Sequence, residues 1–205
     1  MKVRAAGDGN YLEDGESTVT IKVNPIAGQI TAKDITAASK TKVQKVSVGA
    51  KRRGTGKLTY QSSNKSIKVN ADGIITIPKR FVGRAVITIG AKASGIYRAA
   101  SKKVVLTVNP AAVKLVSVKA AGSKKMKVRW KKNPTGTGYQ IQYALKKNFR
   151  SAKTVNVKKA ATVKKTIKKL KAKKTYYVRI RATRKVSGKI YYSAWSRAGK
   201  IRIAK

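Results

Sequence analysis

The feature that most constrains this chain is a succession of short runs in which apolar and polar residues alternate, each closed by turn residues. Val19-Thr-Ile-Lys-Val23, Ile74-Ile-Thr-Ile77, Ala85-Val-Ile-Thr-Ile89 and Val104-Val-Leu-Thr-Val108 come first. Met126-Lys-Val-Arg-Trp130, Tyr139-Gln-Ile-Gln-Tyr143, Tyr177-Val-Arg-Ile-Arg181 and Ile201-Arg-Ile203 follow. A period of two puts successive side chains on opposite faces of a strand, so each run can bury one face and wet the other. Their Val, Ile, Thr and Tyr content suits a pleated, half-buried surface. No segment sustains a capped helical period. Even the Lys-rich stretch 158–174 spaces Val163, Ile167 and Leu170 for a strand and its exit turn. Many short strands at this spacing predict an all-β chain built from β-sandwiches.

An internal repeat divides the chain. Gly9-Asn-Tyr11 followed by Val19-Thr-Ile-Lys-Val-Asn-Pro25 returns as Gly95-Ile-Tyr97 followed by Val104-Val-Leu-Thr-Val-Asn-Pro110. Each copy reads as strand, turn, last strand and an Asn-Pro exit. Proline removes a backbone donor and biases the residue before it toward extended conformations, which suits a short stiff linker. The boundaries predicted are 1–25, the closing hairpin of a preceding domain; 26–110, a complete sandwich; and 111–205, a second one. An isolated hairpin is marginal in water, so the first piece implies that the chain belongs to something longer.

Charge is the other constraint. The chain carries 50 Lys plus Arg against 6 Asp plus Glu. Residues 26–110 hold 17 basic and 2 acidic residues, whereas 111–205 hold 30 basic residues and no acid. Self-repulsion on this scale opposes compaction, although salt relieves much of it. Solubility alone needs a net charge of magnitude about 2–8 with both signs interspersed. The near-exclusion of acid points to a polyanionic partner: nucleic acid, an anionic lipid surface, or an acidic wall polymer or glycan.

Residues 26–110 resemble the bacterial Ig-like domains of surface proteins and adhesins. The resemblance is carried by Leu58-Thr-Tyr-Gln-Ser-Ser-Asn-Lys-Ser-Ile-Lys-Val-Asn-Ala-Asp-Gly-Ile-Ile-Thr76 and Gly83-Arg-Ala-Val-Ile-Thr-Ile89. Asp72-Gly73 is a hairpin turn in which glycine takes a positive φ, and Ser62-Ser63-Asn64 can bond its own backbone. Residues 113–205 resemble a fibronectin type III domain. Trp130 stands at that family's core position after alternating Met126 and Val128, and Tyr139, Ile141 and Tyr143 look like the third strand. Leu170-Lys-Ala-Lys-Lys-Thr-Tyr176 is similar to the approach to the tyrosine corner, with Ala172 where proline is usual. Val178, Ile180 and Ala182 then face the core, and Tyr192-Ser-Ala-Trp-Ser196 leads into the last strand. The resemblance implies spacer or carbohydrate- and wall-associated modules, extracellular at a bacterial surface, monomeric within a longer chain.

Several chemistries lack their residues. With no His and no Cys, histidine-based acid–base work, nucleophilic triads and structural zinc are excluded. Asp8, Glu13, Asp14 and Glu16 are the one acidic cluster and read as solvated turn residues rather than a calcium site. Asp34 and Asp72 alone follow and read as turn residues rather than as the flanking pair of a glycosidase or the carboxylate of an isopeptide bond in 26–110, and 111–205 holds no acid for such a bond. No catalytic residue, metal site or cofactor is expected. No apolar stretch approaches the roughly 18–20 residues of a membrane span, and Met1-Lys2-Val3-Arg4 does not open a signal peptide.

Trp130, Tyr139, Tyr143 and Tyr176 are expected in the core. Tyr177 alternates out of phase with Val178 and should lie on an outer face, Tyr191 is expected as an exposed loop aromatic, and Trp195 fits either place. Lys127, Arg129 and Lys131 are expected on the outer face of one sheet, and Arg179, Arg181, Lys200 and Arg202 on that of the other. This forms a cationic shell rather than one groove. The leading expectation is a structural spacer whose shell lies against anionic cell-wall polymer or acidic polysaccharide. The alternatives are adhesion to a host surface glycan or protein, and non-specific nucleic-acid binding.

Overall fold

The computed structural model describes residues 22–54 and 56–204, with the backbone of β1 (Lys2–Val3) and β2 (Ser17–Thr18). These two strands pair antiparallel, Lys2 opposite Thr18 and Val3 opposite Ser17. Residues 4–16 and 19–21 of the predicted leading hairpin, with Asp8, Glu13, Asp14 and Glu16, lie outside the described residues. Every regular element among the described residues is a strand.

Nine strands follow up to Asn109: β3 (Gln29–Thr31), β4 (Ile35–Ala38), β5 (Gln44–Ser47), β6 (Lys51–Arg53), β7 (Leu58–Ser62), β8 (Lys68–Val69), β9 (Ile74–Ile77), β10 (Gly83–Ala91) and β11 (Ala100–Asn109). One sheet runs β4-β11-β10-β7, with β4 parallel to β11; a second runs β5-β9-β8, and β3 pairs with β6. Alternation sets the core: Ala85, Ile87 and Ile89 of β10 and Val104, Leu106 and Val108 of β11 are buried opposite Ile75 and Ile77 of β9. The turns are the ones the sequence calls for. Gly73 sits at φ 72°, where an L side chain is strained, and Ile74 N–H donates to Asn70 Oδ1 (2.8 Å). Ser62 Oγ accepts from Asn64 N–H (3.2 Å), and Asn64 Oδ1 from Ser66 N–H (3.0 Å).

Beyond Pro110 come β12 (Leu115–Ala120), β13 (Met126–Trp130), β14 (Gly138–Ala144), β15 (Lys153–Val157), β16 (Lys164–Ile167), β17 (Thr175–Val186), β18 (Lys189–Tyr192) and β19 (Gly199–Arg202). They form two sheets, β12-β13-β16 and β15-β14-β17-β18, with β19 continuing along the β17 edge that β18 begins. Met126, Val128 and Trp130 face Tyr139, Ile141, Val178, Ile180 and Ala182 across the core. The Trp130 and Tyr139 rings meet edge to face at 5.3 Å. Tyr143 is half-buried against this core, with Tyr176 buried 6.1 Å from it. Lys171 N–H donates to Tyr176 Oη (3.0 Å), so the tyrosine corner forms with Ala172 in the proline's place.

The passage between the two cores is tied down by a buried polar hub. Asn133 Nδ2 donates to Ala111 O (2.7 Å), and Asn133 Oδ1 accepts from Thr135 N–H, Thr135 Oγ1 and Gly136 N–H (3.0, 2.9 and 2.9 Å). Ala111 N–H donates to Thr135 Oγ1 (2.7 Å). From β17, Arg184 Nη1 reaches both Thr135 O (3.3 Å) and Arg80 O before β10 (3.0 Å).

Candidate polyanion-binding faces

The outer face of β12-β13-β16 follows from register. Lys119, Lys127 and Thr166 share one cross-strand row, and Ser117, Arg129 and Lys164 the next. Antiparallel partners point to the same side, so four cations converge on the outer side. Lys119, Lys127, Arg129 and Lys164 are all exposed, as is Lys131, the next outward position beyond β13. A hollow of about 730 Å³ is lined by Lys119, Lys127 and Arg129 with Ser117 and Ala120. Like charges directly opposite, such as Lys119 and Lys127, destabilise a sheet unless something neutralises them.

The outer face of the other sheet differs from the expectation. Lys200 and Arg202 are exposed on β19, and Tyr177, beside Lys200, is half-buried on that outer side. Arg179 and Arg181 are not free surface cations: both are half-buried and stacked between rings. The Arg179 guanidinium lies 4.1 Å from the Phe149 ring and 4.5 Å from the Trp195 ring. The Arg181 guanidinium lies 3.8 Å from Tyr192 and 4.3 Å from Trp195. Phe149, Arg179, Trp195, Arg181 and Tyr192 therefore alternate in one stack.

Neutral amides complete it. Arg179 Nε and Nη2 donate to Gln142 Oε1 (2.9 and 2.7 Å), and Arg181 Nε and Nη2 to Gln140 Oε1 (2.9 and 2.6 Å). Burial lowers the pKa of both guanidinium groups. For Arg181, neighbouring Tyr192 opposes the shift and Arg179 adds to it. A half-buried arginine ordinarily finds a carboxylate, and the sequence from Ala111 onward offers none.

The segment 192–196 creates the stack. Ser193 N–H donates to Ala182 O (3.0 Å), while Ala182 N–H donates to Ser193 Oγ (2.9 Å). Ser196 repeats the pattern with Ile180, at 2.8 and 3.1 Å. Two serine hydroxyls thus accept where strand carbonyls would, the chain bulges between β18 and β19, and Trp195 is set over both arginines instead of under the last strand. Alternating Arg179 and Arg181, facing Gln142 and Gln140 in register, were the available signal. Their ring partners come from a separate loop and the bulge.

Tyr191 corrects a second expectation. It is 8% exposed and pairs with Arg184, which shares the core-facing side of β17 with Ala182. The turn at Ser187-Gly188 sets this register, so Tyr191 is not available as an exposed aromatic. Its ring receives Lys189 Nζ at 5.7 Å. The two described carboxylates are exposed and used locally: Val105 N–H donates to Asp34 Oδ1 (2.8 Å), and Asn70 Nδ2 to Asp72 Oδ2 (3.1 Å). Among the described residues no three His, Cys, Asp or Glu side chains come together.

Residues 111–198 match the fibronectin type III domain family. This part of the chain is a fibronectin type III domain, a common structural and binding module. Among solved structures, the chain is similar to the chicken CNTN1 FN1-FN3 domains at 15% identity and a TM-score of 0.42, covering 100% of this chain and 77% of that one. It is also similar to a structure described as "Myokine structure" at 17% identity and a TM-score of 0.39, covering 47% and 99%. No curated protein matches the chain.

Proposed function

We propose that this chain is a non-catalytic spacer and binding segment of a bacterial surface protein, divided at residues 25 and 110, with an Ig-like domain before the fibronectin type III domain. Its cationic surface associates with an anionic cell-wall polymer or acidic polysaccharide. One observation carries the reading: Lys119, Lys127, Arg129 and Lys164 share the outer face of a sheet in a segment without a single carboxylate. With no internal counter-charge, neutralisation of that face falls to ions or to a polyanion. A polyanion gains by releasing its own condensed counterions.

The test is sedimentation with cell walls across a salt series. Binding is expected at low salt and release by roughly 0.5 M, where the Debye length falls to a few ångströms. K119Q/K127Q/R129Q should flatten the plot of log affinity against log salt by about 2–3, at about 0.7–0.9 per lost contact. Walls that carry their anionic polymer and fail to retain the protein at low salt would refute the reading. Competition between purified wall polymer and DNA ranks the partners, and preferential release by DNA would move the assignment to nucleic acid.

A further inference from the structure

Arg179 and Arg181 are held between rings and by a neutral amide while lacking a counter-ion. Each guanidinium has both π faces covered by rings and its Nε–Nη2 edge closed by a glutamine oxygen. That leaves the opposite edge, with the N–H groups of Nη1 and the outer N–H of Nη2. Neither Nη1 is a buried atom without a partner, and neither has a protein acceptor, so both reach solvent. Two parallel N–H donors on such an edge form the fork that receives two oxygens of one oxyanion. The arginines are two residues apart on β17, which sets the forks about 7 Å apart at the rise of a strand.

We infer that this Arg179–Arg181 stack is a second, pre-organised site, receiving two oxyanions from neighbouring units of one linear acidic polymer. Three features support it. A half-buried charge without a carboxylate gains more from an incoming anion than an exposed lysine does, because less water is displaced and less dielectric screening applies. The side chains are already fixed, so little rotamer entropy remains to be lost on binding. The rings of Phe149, Trp195 and Tyr192 flank the guanidinium planes and hold the forks in register. The inference goes beyond the diffuse attraction proposed above, and its ligand is of the same acidic class. Phosphate and sulfate are alternative sources of the oxyanion.

The test uses the full chain with two defined probes, poly(glycerol phosphate) and dextran sulfate, at about 0.3 M salt, where diffuse attraction is largely screened. Q140E/Q142E places carboxylates in the glutamines' positions, preserving the stack while supplying the missing counter-charge. Q29E/Q61E changes the charge equally at exposed positions of the other sandwich. Wild type and Q29E/Q61E should bind alike, and Q140E/Q142E should lose about tenfold or more, equivalent to about 1.4 kcal/mol, with an unchanged or raised melting temperature. The polymer that shows the larger loss identifies the oxyanion. Equal losses in both double variants would overturn the site and leave the diffuse reading standing. If wild type binds neither polymer even at low salt, the diffuse reading fails instead. The stack is then judged by the arginine Nε–H resonances with inorganic pyrophosphate: shifts of Arg179 and Arg181 in wild type, absent in Q140E/Q142E, uphold it, and no shift overturns it.

Discussion

Asn133→Ala should be the most damaging polar substitution in the fibronectin type III domain. Asn133 is 4% exposed and Thr135 is 1% exposed, so water cannot readily replace what the amide supplies. The substitution removes the acceptor of Thr135 N–H, Thr135 Oγ1 and Gly136 N–H, and the donor to Ala111 O and, at 3.4 Å, Ala112 O. The four shorter bonds, at about 1 kcal/mol each, give a loss of about 3–5 kcal/mol. For a domain of this size each kcal/mol moves the melting temperature by about 4–8 °C, so a fall of at least about 12 °C is expected. Intrinsic fluorescence reads this cleanly, because both tryptophans of the chain, Trp130 and Trp195, lie in this domain. Asn133→Asp separates the roles: it keeps the three acceptor bonds and loses the donations to Ala111 O and Ala112 O, so its loss should be about 1–2 kcal/mol. A fall of less than about 4 °C for Asn133→Ala, corresponding to under about 1 kcal/mol, would refute the hub's role.

Gly138→Ala should cost about 1–3 kcal/mol in urea unfolding, because a Cβ there would lie 2.6 Å from Val157 O, a backbone atom that cannot swing away. Gly73→Ala should destabilise the first sandwich in a calorimetric scan, since it combines φ 72° with a Cβ 2.8 Å from the Tyr60 ring. Tyr143 holds its proton above the ordinary phenol range because of burial and then neighbouring Tyr176. The unfolded chain ionises first, so this contribution is intact below about pH 10 and lost as pH rises through the folded value. Tyr143→Phe should flatten the alkaline loss of stability relative to wild type, with lysine titration common to both. Arg184→Ala removes the bonds to Arg80 O and Thr135 O, and residual dipolar couplings should then show the two sandwiches reorienting independently.

The strands were legible because alternation states both the element and its buried face. Met126, Val128 and Trp130 appear in the core as their spacing requires, and so do Val178, Ile180 and Ala182. What stayed hidden depends on partners distant in sequence. Arg179 and Arg181 read as surface cations because alternation gives their side of β17 but not Phe149, 30 residues before Arg179, or the bulge that turns Trp195 onto them. Tyr191 was misplaced because the Ser187-Gly188 turn decides which face it takes, and a one-residue change of register exchanges faces. The Asn133 hub has no periodic signature, being a loop side chain that bonds the chain 22 residues earlier.

A domain with 30 basic residues and no acid can fold because the sandwich separates the two requirements. Its buried core is apolar, and most charges stand where water and ions screen them. Arg179, Arg181 and Arg184 are half-buried exceptions; the first two receive rings and amides, the third backbone carbonyls, rather than counter-charge. Repulsion among the remaining cations is greater in the compact state than in the expanded chain, so it subtracts from stability. Whatever neutralises those cations in the folded state must therefore raise stability, by RT ln(1 + [L]/Kd) for a bound ligand. This domain should therefore gain melting temperature on adding a polyanion, as an acid-rich surface would on adding a polycation. At a polymer concentration one hundred times its dissociation constant the gain is about 2.7 kcal/mol, or roughly 10–20 °C for a domain of this size. Dextran sulfate followed by tryptophan fluorescence measures it at low salt. The increment should shrink as salt rises, since the small ions then do the same neutralising in both samples. A polyanion that leaves the melting temperature unchanged at low salt would mean that the folded surface is no better a partner than the unfolded chain. The convergence of Lys119, Lys127, Arg129 and Lys164 on one face would then have no binding consequence.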